Sequence, residues 1–140
     1  VSSRIGGIGG VKGAVVQVLH SGETREVELV GTRSELLTLG RLLLGKAGSC
    51  ELAENQHPSP YERSLSEIVV REDPARDTVS LVVEGQVLRI RGGREALDLL
   101  ADNIEGFAQE ADAHHHCHVD FPTYHFVDPE SDSLVIVFPR

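Results

Sequence analysis

The sequence predicts an α+β fold: two ββαββ units forming a mostly antiparallel sheet covered on one side by two helices. Three observations lead there. Short runs of Val, Ile and Leu alternate with polar residues, as half-buried strands do. Two longer stretches space their apolar residues as one face of a helix. The order of these elements is written twice along 140 residues, a length suited to one domain with a real core.

The first unit spans 13–72 and follows a glycine-rich, flexible start at 1–12. Gly13 to Leu19 is a Val-rich strand, and His20-Ser21-Gly22-Glu23 a turn. Thr24 to Val30 returns with Val27 and Leu29 on one face. Thr32 and Glu35 have the spacing of a capping box, in which each satisfies a backbone N–H of the first helical turn. Leu36, Leu39 and Leu43 then mark a helical face, and Gly45 to Gly48 stops it. Cys50-Glu51-Leu52 is a short strand, His57-Pro58-Ser59-Pro60 a loop, and Leu65 to Arg71 the closing strand.

The second unit, 73–140, repeats the order. Thr78 to Glu84 and Val87 to Ile90 flank Gly85-Gln86, a two-residue turn with Gly first. A helix runs from about Arg94 to Ala108 with Leu97, Leu100 and Ile104 on its face. His115 to Val119 and Leu134 to Phe138 are strands. Val27, Leu29, Leu36, Leu39 and Leu43 each match an apolar residue 61 positions on. After the helices the offset becomes 67, matching Cys50 to Cys117, Leu52 to Val119, and Ile68-Val69-Val70 to Val135-Ile136-Val137. An internal duplication would account for this register, and a plain α+β sheet without internal symmetry is the alternative.

Formal net charge is −9, and no Lys/Arg block forms a stripe, so a nucleic-acid partner is excluded on charge. No apolar run has the length of a membrane span, and the first residues lack the apolar core of a signal peptide. With two cysteines, Cys50 and Cys117, the expectation is a cytoplasmic protein with reduced thiols.

Five of the seven histidines lie in the last 27 residues, four of them in the run from His114 to His118. If that run is extended, His114, His116, His118 and Asp120 face one way, and Cys117 and Val119 turn to the core. Histidines two apart on a strand can converge on one ion. His114, His116, His118 and His125 are therefore the candidate ligands, and a divalent metal such as zinc the cofactor they would take. A polar strand face and a histidine-bearing protein interface remain open beside that reading. Cys117 reads as a small buried apolar group, because its histidine neighbours point to the opposite face.

The loop from Phe121 to Asp132 puts Phe121, Tyr124 and Phe126 beside His125. Aromatic side chains next to a histidine and acids are a candidate interaction surface, joined by Asp128 and by Asp98 and Asp102 of the second helix. The same aromatics could instead seal the core.

From Leu65 onwards the order of features resembles a family of bacterial immunity proteins, immunity protein 32. The resemblance lies in Ser66-Glu67-Ile68-Val69-Val70, Val83-Glu84-Gly85, and Ala96-Leu97-Asp98-Leu99-Leu100-Ala101-Asp102-Asn103. It continues in His116-Cys117-His118-Val119-Asp120 and Leu134-Val135-Ile136-Val137. It implies a non-enzymatic protein that covers a toxin's working surface. The leading expectation is therefore a small protein-binding protein with a basic toxin domain as partner. The residues also admit a metal-dependent enzyme using the strand histidines, or a metal-binding or homodimeric scaffold.

Overall fold

A computed structural model describes residues 10–11, 16–112 and 114–139. Apart from Gly10 and Val11, the glycine-rich start and the first residues of the expected strand at Gly13 lie outside the described residues. The described residues form ten strands and two helices, in the predicted order but with two additional short strands.

A two-residue strand β1 (Gly10–Val11) comes first. The first unit supplies β2 (Gln17–Ser21), β3 (Glu26–Val30), α1 (Arg33–Leu43), β4 (Ala47–Glu51), the short β5 (Arg63–Ser64) and β6 (Glu67–Glu72). The second supplies β7 (Val79–Glu84), β8 (Val87–Gly92), α2 (Arg94–Glu110), β9 (His116–Val119) and β10 (Ser133–Val137). The capping box is present: Thr32 N–H donates to Glu35 Oε1 at 2.9 Å, and Glu35 N–H to Thr32 Oγ1 at 3.2 Å. Gly85 opens the β7–β8 turn at φ 62°, which a side chain would strain.

The α+β class holds, but the strands divide between two mixed sheets instead of joining one. Their orders are β1-β4-β6-β8-β7 and β5-β2-β3-β10-β9. Each sheet takes the opening hairpin of one unit and the closing strands of the other, joined by a parallel pair: β6 to β8, and β3 to β10. The physical reason is core area. Neither unit can enclose its own apolar face, and exchanging strands lets both helices and both sheets share one interior. That interior holds Val27, Leu29, Leu36, Leu43, Ile68, Leu88, Ile90, Leu97, Leu100, Ile104, Leu134 and Ile136.

With β3 matched to β8 at the offset of 61, the ladders match the closing strands at an offset other than 67. Val27 pairs with Leu134, and Leu88 with Ile68, so Ile68 corresponds to Leu134, an offset of 66. Cys50 pairs with Ile68 and Val119 with Leu134. In that match Cys50 aligns with Val119, and the two cysteines occupy different rows. Spacing in the sequence cannot fix such a register, because the loops before these strands differ in length.

The helices pack on each other through small residues and are tied at both ends by arginine. A Cβ on Gly40 would come within 2.7 Å of the Glu105 side chain. Arg94, the first residue of α2, donates to the carbonyls of Leu43 and Gly45 at the end of α1. Arg33, the first residue of α1, donates to the carbonyls of Ala108 and Ala111 at the end of α2. Each guanidinium thus satisfies carbonyls that a helix end leaves unpaired. Both arginines follow a Gly-x step, Gly31-Thr32 and Gly92-Gly93, 61 positions apart.

Candidate functional site

The residues predicted to carry function lie on helix α2, on the link and the edge strand β9 that follow it, and in the 120–132 loop. Strand β9 starts at His116, so the alternation applies from there. His116 and His118 are exposed on the outer face of their sheet, Val119 is fully buried, and Cys117 packs partly against the core. The expected inward turn of Cys117 and Val119 is what the structure shows. His114 and His115 precede the strand in a turn organised by Asp112. His114 N–H donates to Asp112 Oδ1 at 3.2 Å, and Asp112 N–H donates to His115 Nδ1 at 3.2 Å.

The His116 and His118 rings lie edge to face, their centroids 5.0 Å apart. His114 lines a groove of about 640 Å³ with His116, Glu28 and Phe138. His125 lines a different groove, beside Asp77, Glu95, Leu99, Tyr124 and Phe126. Among the described residues no three His, Cys, Asp or Glu side chains group as a metal centre. The four histidines thus do not converge on one point.

The aromatic residues divide between the two roles expected of them. Tyr124 and Phe126 pack against the core with ring centroids 5.4 Å apart. Phe121 is 45% exposed. Leu99, on the outer face of α2, is 39% exposed and lines the same groove as Tyr124 and Phe126. The acids divide as well. Asp98 is held by Arg94 at 2.9 Å. Asp128 accepts from Glu130 N–H at 2.9 Å, faces Arg76 at 3.7 Å, and takes the Thr78 hydroxyl at 3.4 Å. Both are engaged within the fold. Asp102 is exposed and lines a further groove, of about 510 Å³, between α2 and β9, with Glu110, Gly106, Phe107, His116 and Cys117.

Charge separates this stretch of the chain from the rest. Residues 95–139 contain ten of the 22 acidic residues and none of the Lys or Arg. The outer face of the other sheet carries Arg71, Arg89 and Arg91 around a shallow groove. Sequence reading noted the acids of α2 but not the 45-residue absence of cations beside them, a signal a running charge count would have found. Burial raises the thiol pKa of Cys117, and burial with the nearby Glu51 carboxylate raises that of Cys50. Both stay protonated near neutral pH and are weak nucleophiles. On the outer face of the β9 sheet, where Glu28 and His118 flank Val135 in one row, burial and then Glu28 and Glu26 push the Tyr61 phenol well above its ordinary value.

What this arrangement offers is recognition: exposed carboxylates, an exposed Phe and Leu, and grooves that are open and shallow in lining. Among the described residues no helix is long and apolar enough to cross a membrane. A family model described as Immunity protein 32 matches residues 26–84 and 87–139. No curated protein and no solved structure matches the chain.

Proposed function

Since the chain belongs to the immunity protein 32 family, we propose that it neutralises a toxin by laying the α2–β9 side over a basic part of the toxin's surface. The observation that carries this is the charge division within a member of that family: residues 95–139 hold ten acids and no Lys or Arg. Exposed Asp102 and Glu110 supply the attraction, and exposed Leu99 and Phe121 the apolar contact. The protein acts in the cytoplasm, where its two free cysteines remain reduced. The histidines serve this interface as polar contacts.

The same reading extends to the architecture, as two copies of one ββαββ unit. Supporting it are the matched segments, whose first residues Glu26 and Val87 lie 61 positions apart. Arg33 and Arg94 have the same separation and the same capping role.

Growth of cells co-expressing the cognate toxin tests the function. Wild-type chain should restore growth, and the double variant Asp102→Lys with Glu110→Lys should protect at least about tenfold less well, as two reversed interface charges would require. Equal protection by the double variant sinks the assignment of this surface. Failure of the wild-type chain to protect sinks the function itself.

A further inference from the structure

We propose that the outer edge of β9 is a docking site for an extended segment of the protein partner, added as a further strand and carrying Lys or Arg side chains. This rests on the toxin-neutralising reading for the partner's identity, but the geometry stands independently of it.

The sheets end at β1 and β7 and at β5 and β9, and β1 and β5 are two-residue strands laid along longer ones. The β4 edge is paired by β1, Gly10 opposite Ser49 and Val11 opposite Cys50. The β2 edge is paired by β5, with Leu65 N–H donating to the Val18 carbonyl at 2.8 Å. The β7 edge is bonded by the loop before β10 along Val79–Leu81. Val79 N–H donates to Phe126 O, Asp128 N–H to Val79 O, and Asp132 N–H to Leu81 O, each within 2.9 Å. Strand β9 pairs with β10 on one side, and among the described residues no backbone group bonds to its other side. Alternate residues of an antiparallel edge strand turn their N–H and C=O outward, so four residues leave about two of each unpaired over roughly 13 Å. Proteins normally blunt such an edge, and an edge left open is where β-augmentation occurs.

The fold supplies its own precedent. Strand β4 is the counterpart of β9, each following its unit's helix and pairing with that unit's closing strand. The β4 edge accepts an added strand in this chain. At β9 the corresponding space is the open groove of about 510 Å³ beside α2. Gly106 keeps it open: a Cβ built there meets nothing within 4 Å.

Charge selects the occupant. Asp102 and Glu110 line the groove, Asp112 stands beside it, and no Lys or Arg occurs from 95 to 139. A second copy of this chain pairing edge to edge would set these carboxylates against their own images, which like-charge repulsion opposes. An extended segment with cationic side chains meets no such cost.

The test uses a phage-displayed library of random twelve-residue segments, panned against the purified full chain. Enriched peptides should combine Lys or Arg with β-branched residues. When bound, they should slow amide exchange across His116–Val119. Gly106→Leu, which fills the groove, and Asp102→Asn with Glu110→Gln, which remove its charge, should each weaken binding about tenfold. Arg71→Gln, on the other sheet, should leave it unchanged. No enrichment, acidic binders, protection elsewhere, or full binding by a folded Gly106→Leu protein would overturn the proposal. So would dimerisation of the free chain through β9, read by sedimentation. If Gly106→Leu does not fold, the exchange pattern of the wild-type complex decides alone. The experiment needs no toxin, so its failure leaves the toxin-neutralising function to stand or fall on growth rescue.

Discussion

Asp132 is buried at the end of the interior where its carboxylate joins two partners. Its Oδ2 lies 3.3 Å from His20 Nε2, and its Oδ1 accepts from Arg25 Nε at 3.0 Å. That bond, with a second from Arg25 to the Glu130 carbonyl, holds Arg25 at φ 57°, a conformation few side chains adopt. His20 Nδ1 is buried without a partner, and among the described residues Asp132 is the only carboxylate within ion-pair distance of that ring. Asp132→Ala should therefore cost about 2 kcal/mol in urea unfolding, the usual scale for a lost charged hydrogen bond. A loss below about 0.5 kcal/mol, the range of ordinary surface changes, would show the network to be incidental. Asp73 gives a pH signature. The Ala75 N–H first, then Arg91 and Arg76, lower its pKa, with burial opposing. A lowered folded pKa adds stability that is present above the ordinary carboxylate value of about 3.9 and is lost as pH falls through the lower folded value. Asp73→Asn should flatten that part of the acid limb in urea midpoints taken against pH, and an unchanged limb would count against the assignment.

At the scale of elements, the reciprocal arginine caps make the strongest prediction. Arg33→Ala and Arg94→Ala should each destabilise by about 2 kcal/mol, since each strips charged hydrogen bonds from the other helix's last turn. Lys should rescue only part of the loss at either position, because an ammonium cannot reproduce the guanidinium fork that reaches two carbonyls. Thermal denaturation of the four variants checks both statements. If Lys restores full stability, charge alone is responsible. Gly106 argues in the opposite direction. It interrupts α2 where a Cβ has open space, so Gly106→Ala should stabilise by about 0.5–1 kcal/mol on helix propensity. Stability is thus forgone at a position facing the candidate groove, which fits a surface kept clear for a partner.

Over the whole molecule the charges are polarised: acids without cations from 95 to 139, and Arg71, Arg89 and Arg91 on the outer face of the other sheet. Two of those arginines have acidic partners, Arg89 with Glu84 at 2.7 Å and Arg91 with Asp73 at 3.0 Å, which mutes that pole. The acidic pole is muted less, since Asp102 and Glu110 stand exposed at its groove. Association with a basic toxin should therefore be steered electrostatically. Its rate constant should fall about tenfold between low and high salt while dissociation changes far less. Stopped-flow or surface-binding kinetics would show this, and a salt-independent association rate would remove charge as the basis of recognition.

Local periodicity fixed both helices, the capping box, the β7–β8 turn and the two faces of β9, because these depend on residues within a few positions of each other. It also pointed to the part of the molecule proposed to meet the partner, since histidines, aromatics and acids crowd the last third of the chain. Strand pairing was decided elsewhere. Whether the second edge of β3 meets β10 or the closing strand of its own half depends on how two small apolar faces can be buried together, and no local pattern records that. The same exchange set the register that separates Cys50 from Cys117 and left His125 in a different groove from His116. The open edge of β9 follows from it too: an edge is defined only by which strands are absent beside it, and that belongs to the assembled sheet.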